Sequence, residues 1–208
     1  GSPRVIPPRP KPARPRDAVI SVDTRHAPVM DHALAAGADA MNDVSALMHD
    51  PAAAAVVARA GCPVMLMHMR GTPETMNDHA TYTDVAVDVV RELRDRVDHA
   101  VAAGVVRGRI MVDPGIGFAK TAAQNMELLA RLPLLANLGC RVVLGVSRKR
   151  FVGQVTGVAQ AASRDPGSMA ASLPGLVFAN TILRVHDAGT MMQGLKIWQG
   201  LDCTQQVR

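Results

Sequence analysis

Residues 109–118, RIMVDPGIGF, decide the fold. Ile110, Met111 and Val112 form an apolar run that reads as a buried strand, and the run ends on Asp113-Pro114-Gly115-Ile116-Gly117-Phe118. Two glycines after a strand let the backbone turn sharply and approach a ligand closely. Phe118 offers an apolar wall, and Asp113 offers a carboxylate to a ligand edge carrying two N–H donors. A glycine-rich turn closed by a capping aspartate explains the same residues, and the stretch alone leaves both readings open.

Working outward, the pattern repeats. Short apolar runs occur at AVISVDT (18–24), ADAMNDVS (38–45), PVMLMHM (63–69), RVVLGVS (141–147) and TILRVHD (181–187). They alternate with helix-like segments. APVMDHALAAG (27–37) has Pro28 near its start and Gly37 at its stop. TDVAVDVVRELRDRVDHAVAAG (83–104) places Val85, Val89, Leu93, Val97 and Val101 on one stripe. NMELLARL (125–132) precedes Pro133, and a last helical stretch runs to about Leu201. Strand and helix in alternation predict an α/β fold with a parallel sheet. The strands alternate little between apolar and polar, as expected of strands covered on both faces.

Each run carries polar residues at its C-terminal side: Asp23-Thr24, Asn42-Asp43, His68, Asp113, Ser147-Arg148-Lys149, and Arg184 with His186-Asp187. Parallel α/β proteins bind ligands at the carboxyl ends of their strands. One acid there reads as a helix cap; six such ends converging on one region point to a site. His68, inside an apolar strand, reads as a packed structural residue.

The totals narrow the class. A chain of 208 residues with 48% hydrophobic residues suits one globular domain, and its 2% aromatic content leaves the core to Val, Leu, Ala and Met. No run approaches the roughly 18 apolar residues of a membrane span. Cys62, Cys140 and Cys203 form no CxxC pair and read as buried free thiols of a reducing cytoplasm. The seven histidines show no zinc spacing. The net charge of +5 is local: five basic residues and no acid lie in residues 1–16, and the remaining 18 basic residues match the 18 acids. The body therefore carries no electrostatic case for a nucleic-acid partner. Residues 1–16 also hold six prolines and read as an extended or disordered arm ahead of a barrel domain at 17–208.

SVDT, NDVS, LMHMRGTP, DPGIGF, GVSRKRF and RVHD, in this order and spacing, closely resemble the dihydropteroate synthase family, over roughly residues 17–201. The resemblance implies a (β/α)8 TIM barrel of the pterin-binding type. It implies an enzyme that joins 6-hydroxymethyl-7,8-dihydropterin pyrophosphate to p-aminobenzoate, with Mg2+, in the cytoplasm and as a homodimer. By motif it assigns Asp23, Asn42, Met67, Asp113 and Lys149 to the pterin, and Arg184 and His186 to the pyrophosphate. Phe118, Ser147 and Arg148 fall on the p-aminobenzoate side, and Asp113, Lys149 and Arg184 carry the chemistry. QGLKIWQGL (193–201), with Trp198, is a candidate dimer contact; packing on its own barrel explains it equally.

Four departures shape the expectation. Six strand-like runs fall short of the eight of a closed barrel, so the chain reads as the last three-quarters of one. The family's metal-binding residue lies in a first loop that has no counterpart here, so no residue is assigned to a metal. Arg150 follows Lys149 where many relatives have Ser, and either binds a carboxylate or faces solvent. Pro174-Gly175 fall where a helix is expected and predict a kink or a displaced helix. The competing functions are an inactive pterin-binding remnant and a related pterin-binding methyltransferase; SRK and RVHD speak against the latter.

Overall fold

The computed structural model describes residues 18–178 and 181–205; the arm expected over 1–16 lies outside them. The elements follow the predicted rhythm: β1 (Ser21–Asp23), α1 (Ala27–Ala35), β2 (Ala40–Asp43), α2 (Ala53–Ala60), β3 (Val64–Met67) and α3 (Val85–Ala102). They continue as β4 (Ile110–Asp113), α4 (Ala122–Ala130), β5 (Arg141–Leu144), α5 (Arg150–Thr156), α6 (Asp165–Ser172), β6 (Ile182–Leu183) and α7 (Ala188–Gln205).

The strands form one six-stranded sheet in the order β1-β2-β3-β4-β5-β6, every pair parallel. Each strand pairs with the next in sequence, so the right-handed crossovers all fall on one side. That is the winding of a barrel; an open doubly wound sheet reverses its strand order midway. The result is a curled arc of barrel type whose described edges are β1 and β6.

Alternation along the strands separates two environments. Met41, Val64, Leu66, Ile110, Val112, Val142 and Leu144 face the helices and join the main core with Val57, Leu93, Leu128 and Leu135. Side chains one step away line the concave side. Near the N-terminal ends of the strands this side encloses about 620 Å³, with Ser21, Ala40, Met65, Met111 and Ile182 among its walls.

α3 buries Val85, Val89, Leu93, Val97 and Ala100, while Val101 of the predicted stripe is exposed. Steps of four residues overrun the 3.6-residue turn, so after four steps the stripe has rotated off the core. Asp84 caps this helix by accepting from the Val87 N–H at 3.0 Å. α4 starts earlier than its apolar pattern suggests, because Thr121 and Gln124 form a reciprocal capping box. α6 stops at Ser172, and Pro174 and Gly175 fall in a short 3-10 turn, Leu173–Val177. Proline is tolerated there, in the first turn, and excluded from a helix interior. Cys62 is buried and Cys140 partly so, both as free thiols, while the side chain of Cys203 lies outside the described residues. No described helix is long and apolar enough to cross a membrane.

Candidate active site

The polar strand ends divide by the same alternation. Asn42, at the end of β2, is buried on the concave side, and its amide donates to Asp23 Oδ2 on β1 at 2.7 Å. Its neighbour Asp43 takes the opposite direction. Both its oxygens are consumed by Ser45 N–H and O–H and by Leu47 N–H, at 2.6–3.1 Å, holding a turn in which Ala46 and Leu47 adopt left-handed φ values of 53° and 64°. Asp43 is a structural acid. Asp187 likewise accepts from Thr190 N–H and O–H and caps α7.

Asp113 is the centre of the site. It ends β4 opposite Met67, which is itself buried on β3. Its Oδ1 accepts the Gly115 N–H at 2.8 Å, and its Oδ2 lies 3.7 Å from Arg184 Nη2, the residue after β6. The carboxylate is 3% exposed, and burial raises its pKa; the Gly115 N–H and the nearby charges of Arg184, Lys149 and Lys120 pull it back down. Arg184 reaches so far because it lies over Gly145, where a Cβ would stand 3.0 Å from Nη2. A residue of any other type would push the guanidinium away from Asp113.

Lys149 precedes α5, and its ammonium lies 4.0 Å from the centre of the Phe118 ring, a cation–π contact. Its stem crosses Gly117, whose missing Cβ would sit 3.2 Å from Lys149 Cδ. Burial pushes Lys149 down to about 8, with the charge of Asp113 acting against the shift. Asp113, Lys149, Phe118 and Arg184 are therefore joined through contacts across three strand ends, and Met67 flanks them.

The remaining predicted residues divide. Ser147 is buried and its Oγ accepts the His186 backbone N–H at 3.2 Å and lies 2.9 Å from His186 Nδ1, which ties the loop after β5 to the one after β6. Arg148 has φ 57°, and its guanidinium makes two bonds to Asp165, at 2.8 and 2.7 Å. Its positive charge is thus matched within the protein. Arg150 is the exposed first residue of α5.

Two functional neighbours escape a reading of the sequence. Arg164 donates to the carbonyls of Val158, Ala159 and Arg148 and fastens the Ser147–Lys149 turn from behind. Lys120 is buried beneath the Gly115–Phe118 turn, among residues that pack rather than face solvent. Both resemble ordinary surface cations in sequence. Burial is the distinguishing signal, and it exists only in three dimensions. His68 is buried as expected, between Lys120 and Glu92, and burial lowers its pKa to about 4, so it is neutral.

A single-wound parallel arc with a buried carboxylate and several cations at the carboxyl ends of its strands is the layout of a barrel enzyme. The comparisons specify which. The family model described as "Pterin binding enzyme" matches residues 8–186. The dihydropteroate synthase of Neisseria meningitidis serogroup C is 41% identical over 184 residues, 88% of this chain and 65% of that protein. Xanthomonas albilineans dihydropteroate synthase in complex with 7,8-dihydropteroate superposes with a TM-score of 0.81 at 42% identity, covering 88% of this chain and 67% of the other. Yersinia pestis dihydropteroate synthase in a sulfonamide drug complex gives 0.85 at 35% identity, over 90% and 67%. The chain belongs to the pterin-binding enzyme family. It spans about two thirds of the length of these relatives.

Proposed function

We propose that this chain carries the pterin-binding portion of a dihydropteroate synthase. The reaction condenses 6-hydroxymethyl-7,8-dihydropterin pyrophosphate with p-aminobenzoate and releases 7,8-dihydropteroate and pyrophosphate. The observation that carries the reading is the buried Asp113 carboxylate, ringed by Arg184, Lys149 and Lys120 on the concave side of the sheet.

A pterin presents its 2-amino group and N3–H as two parallel donors, and a carboxylate is the side chain that accepts both. Burial makes that pair stronger than it is in water, and it raises the pKa of the carboxylate while the surrounding cations act against the rise. Asn42 gives one N–H to Asp23 and retains its carbonyl oxygen for a ligand donor. Met67 supplies an apolar face for the flat ring system. Lys149, at about 8, still carries its proton at neutral pH and donates to the ring's O4 and N5 acceptors. Phe118, against which Lys149 rests, offers a surface to the aromatic amine.

In the transfer step the bond from the pterin methylene to the pyrophosphate oxygen breaks, and its electron pair leaves with pyrophosphate. The lone pair of the aniline nitrogen forms the new C–N bond, and that nitrogen then loses a proton to solvent. Arg184 and His186 offer donors to the departing charge. No nucleophilic side chain takes part. The resemblance brings Mg2+ with it, but the described residues contain no group of three or more His, Cys, Asp or Glu fit to hold an ion. The steps above are derived from the described residues alone. The same reading includes a homodimer in the cytoplasm; Ile197 and Trp198, exposed on α7, supply apolar surface for a partner copy.

A thermal-shift titration with 6-hydroxymethyl-7,8-dihydropterin pyrophosphate tests the proposal. A saturable rise in Tm, lost in Asp113→Ala, is the expected result. A chain that melts cooperatively and does not respond refutes it. Binding without pteroate formation on addition of p-aminobenzoate would restrict the chain to pterin recognition.

A further inference from the structure

Lys120 is near Asp113 but is given no contact with a substrate above, and its own surroundings are fully built. Lys120 is 8% exposed, and its ammonium donates to three acceptors: the Gly115 carbonyl at 3.1 Å, the Phe118 carbonyl at 3.0 Å and His68 Nδ1 at 3.0 Å. In the protonated form its three N–H groups meet three acceptors, which leaves none for a ligand. The imidazole is fixed in turn. His68 is neutral, so Nδ1 accepts from Lys120 while Nε2–H donates to Glu92 Oε2 at 3.0 Å. Glu92 is anchored on α3 and also binds Arg70, whose guanidinium lies 3.9 Å over the Tyr82 ring. Tyr82 closes the circuit by donating to the Ala119 carbonyl at 2.9 Å.

This network grips one segment, residues 115–119, from beneath. The segment needs it. Gly115, Gly117 and Ala119 have φ values of 67°, 82° and 49°, and Ala119 is there without the freedom of glycine. Gly115 also passes so close to β3 that a Cβ would lie 1.9 Å from the His68 carbonyl oxygen. The upper side of the same segment carries Phe118 and supports the stem of Lys149 over Gly117.

We propose that Lys120 is a positioning residue: it fastens the Gly115–Phe118 turn to the His68–Glu92 pair and thereby sets where Phe118 and Lys149 meet the substrates. The functional consequence rests on the pterin reading above; the mechanical claim does not. The loss of this buried three-way donor leaves the Phe118 carbonyl and the imidazole nitrogen of His68 without the partner they have here, and the Gly115 carbonyl with the Phe118 N–H alone.

The test compares the whole chain with Lys120→Met and Lys120→Arg by hydrogen–deuterium exchange and by pterin pyrophosphate titration. In Lys120→Met, exchange across residues 114–119 is expected to accelerate at least about tenfold, with β1, β2 and α3 unchanged. The Kd rises in parallel, and Lys120→Arg, which keeps charge and donors, recovers part of both. Unchanged exchange in Lys120→Met overturns the proposal. So does exchange that rises over the whole sheet in both variants, since Lys120 would then support the core at large. A wild-type chain that binds no pterin refutes the functional reading only, and the exchange data still decide this one.

Discussion

Replacing Lys149 by Met is expected to make the protein more stable and useless as a pterin binder. The prediction follows from the burial of the lysine. Holding an ammonium at about 8 instead of its ordinary 10.5 costs the folded state about 3 kcal/mol at neutral pH. Its position immediately before α5 adds to the cost, because a helix N-terminus disfavours a cation. Against this stands the contact with the Phe118 ring, about 0.5–1 kcal/mol; the attraction to the Asp113 carboxylate is already contained in the value of about 8. Methionine keeps the apolar stem over Gly117 and removes the charge. The net gain is about 2 kcal/mol, which for a domain of this size raises Tm by about 4–8 °C.

The pH dependence gives the prediction its sign. Between about 8 and 10.5 the unfolded lysine is protonated and the folded one is not, so the unfolded state binds more protons and stability rises with pH. Wild type therefore recovers through this window what burial of Lys149 takes from it at neutral pH. The Met variant has nothing to recover at this position. Its advantage should be full at pH 7 and nearly gone at pH 10.5. Lys120 is lowered to about 7 chiefly by burial, and the charge of Lys149 is the smallest of the named causes, so most of its own titration is common to both proteins. Differential scanning calorimetry of the two chains from pH 7 to 10.5 measures this, and a pterin titration at pH 7 supplies the functional half. A Met variant less stable than wild type at pH 7, or a gap independent of pH, would refute the account of Lys149 as a strained cation retained for binding.

Two glycine substitutions separate function from folding. Gly145→Ala places a Cβ 3.0 Å from Arg184 Nη2, and Arg184 is a flexible, partly exposed side chain that can move aside. Tm should change little while affinity for the pterin pyrophosphate falls several-fold; unchanged affinity would show that Arg184 does not need its place over Gly145. Gly115→Ala meets backbone instead, with φ 67° and a Cβ 1.9 Å from the His68 carbonyl oxygen. It should cost about 3 kcal/mol or more by urea unfolding, and a wild-type midpoint would refute the tight approach of this turn to β3.

How far the site was legible in the sequence follows from which geometry one chain segment can encode. Period-two alternation tells which side chains share a face, and it is local. From it, Asn42 can be expected to face inward, while Asp43, one residue on, must face the helices. The order SVDT to RVHD likewise places Asp23, Asn42, Asp113 and Arg184 at the ends of the first, second, fourth and sixth strands. The lateral approaches are different in kind. Arg184 reaches Asp113 across β5 because Gly145, 39 positions before it, has no side chain, and Arg184 and Asp113 are 71 positions apart. Arg148 reads as a free cation until Asp165, seventeen residues on, is folded against it.

Lys120 marks the limit most sharply. In FAKTAAQ it is a polar residue just ahead of a helix, the commonest context for a solvated lysine. Its burial is imposed by the left-handed backbone at Gly115, Gly117 and Ala119, which folds the chain back over its ammonium. The glycines that raise the question of a ligand in DPGIGF thus answer a second one. They also turn two carbonyls inward, and those carbonyls, with the imidazole of His68, are what make a buried lysine affordable. Sites built by contacts of this kind are fixed by what the turn presents to its own protein as much as by what it presents to the substrate.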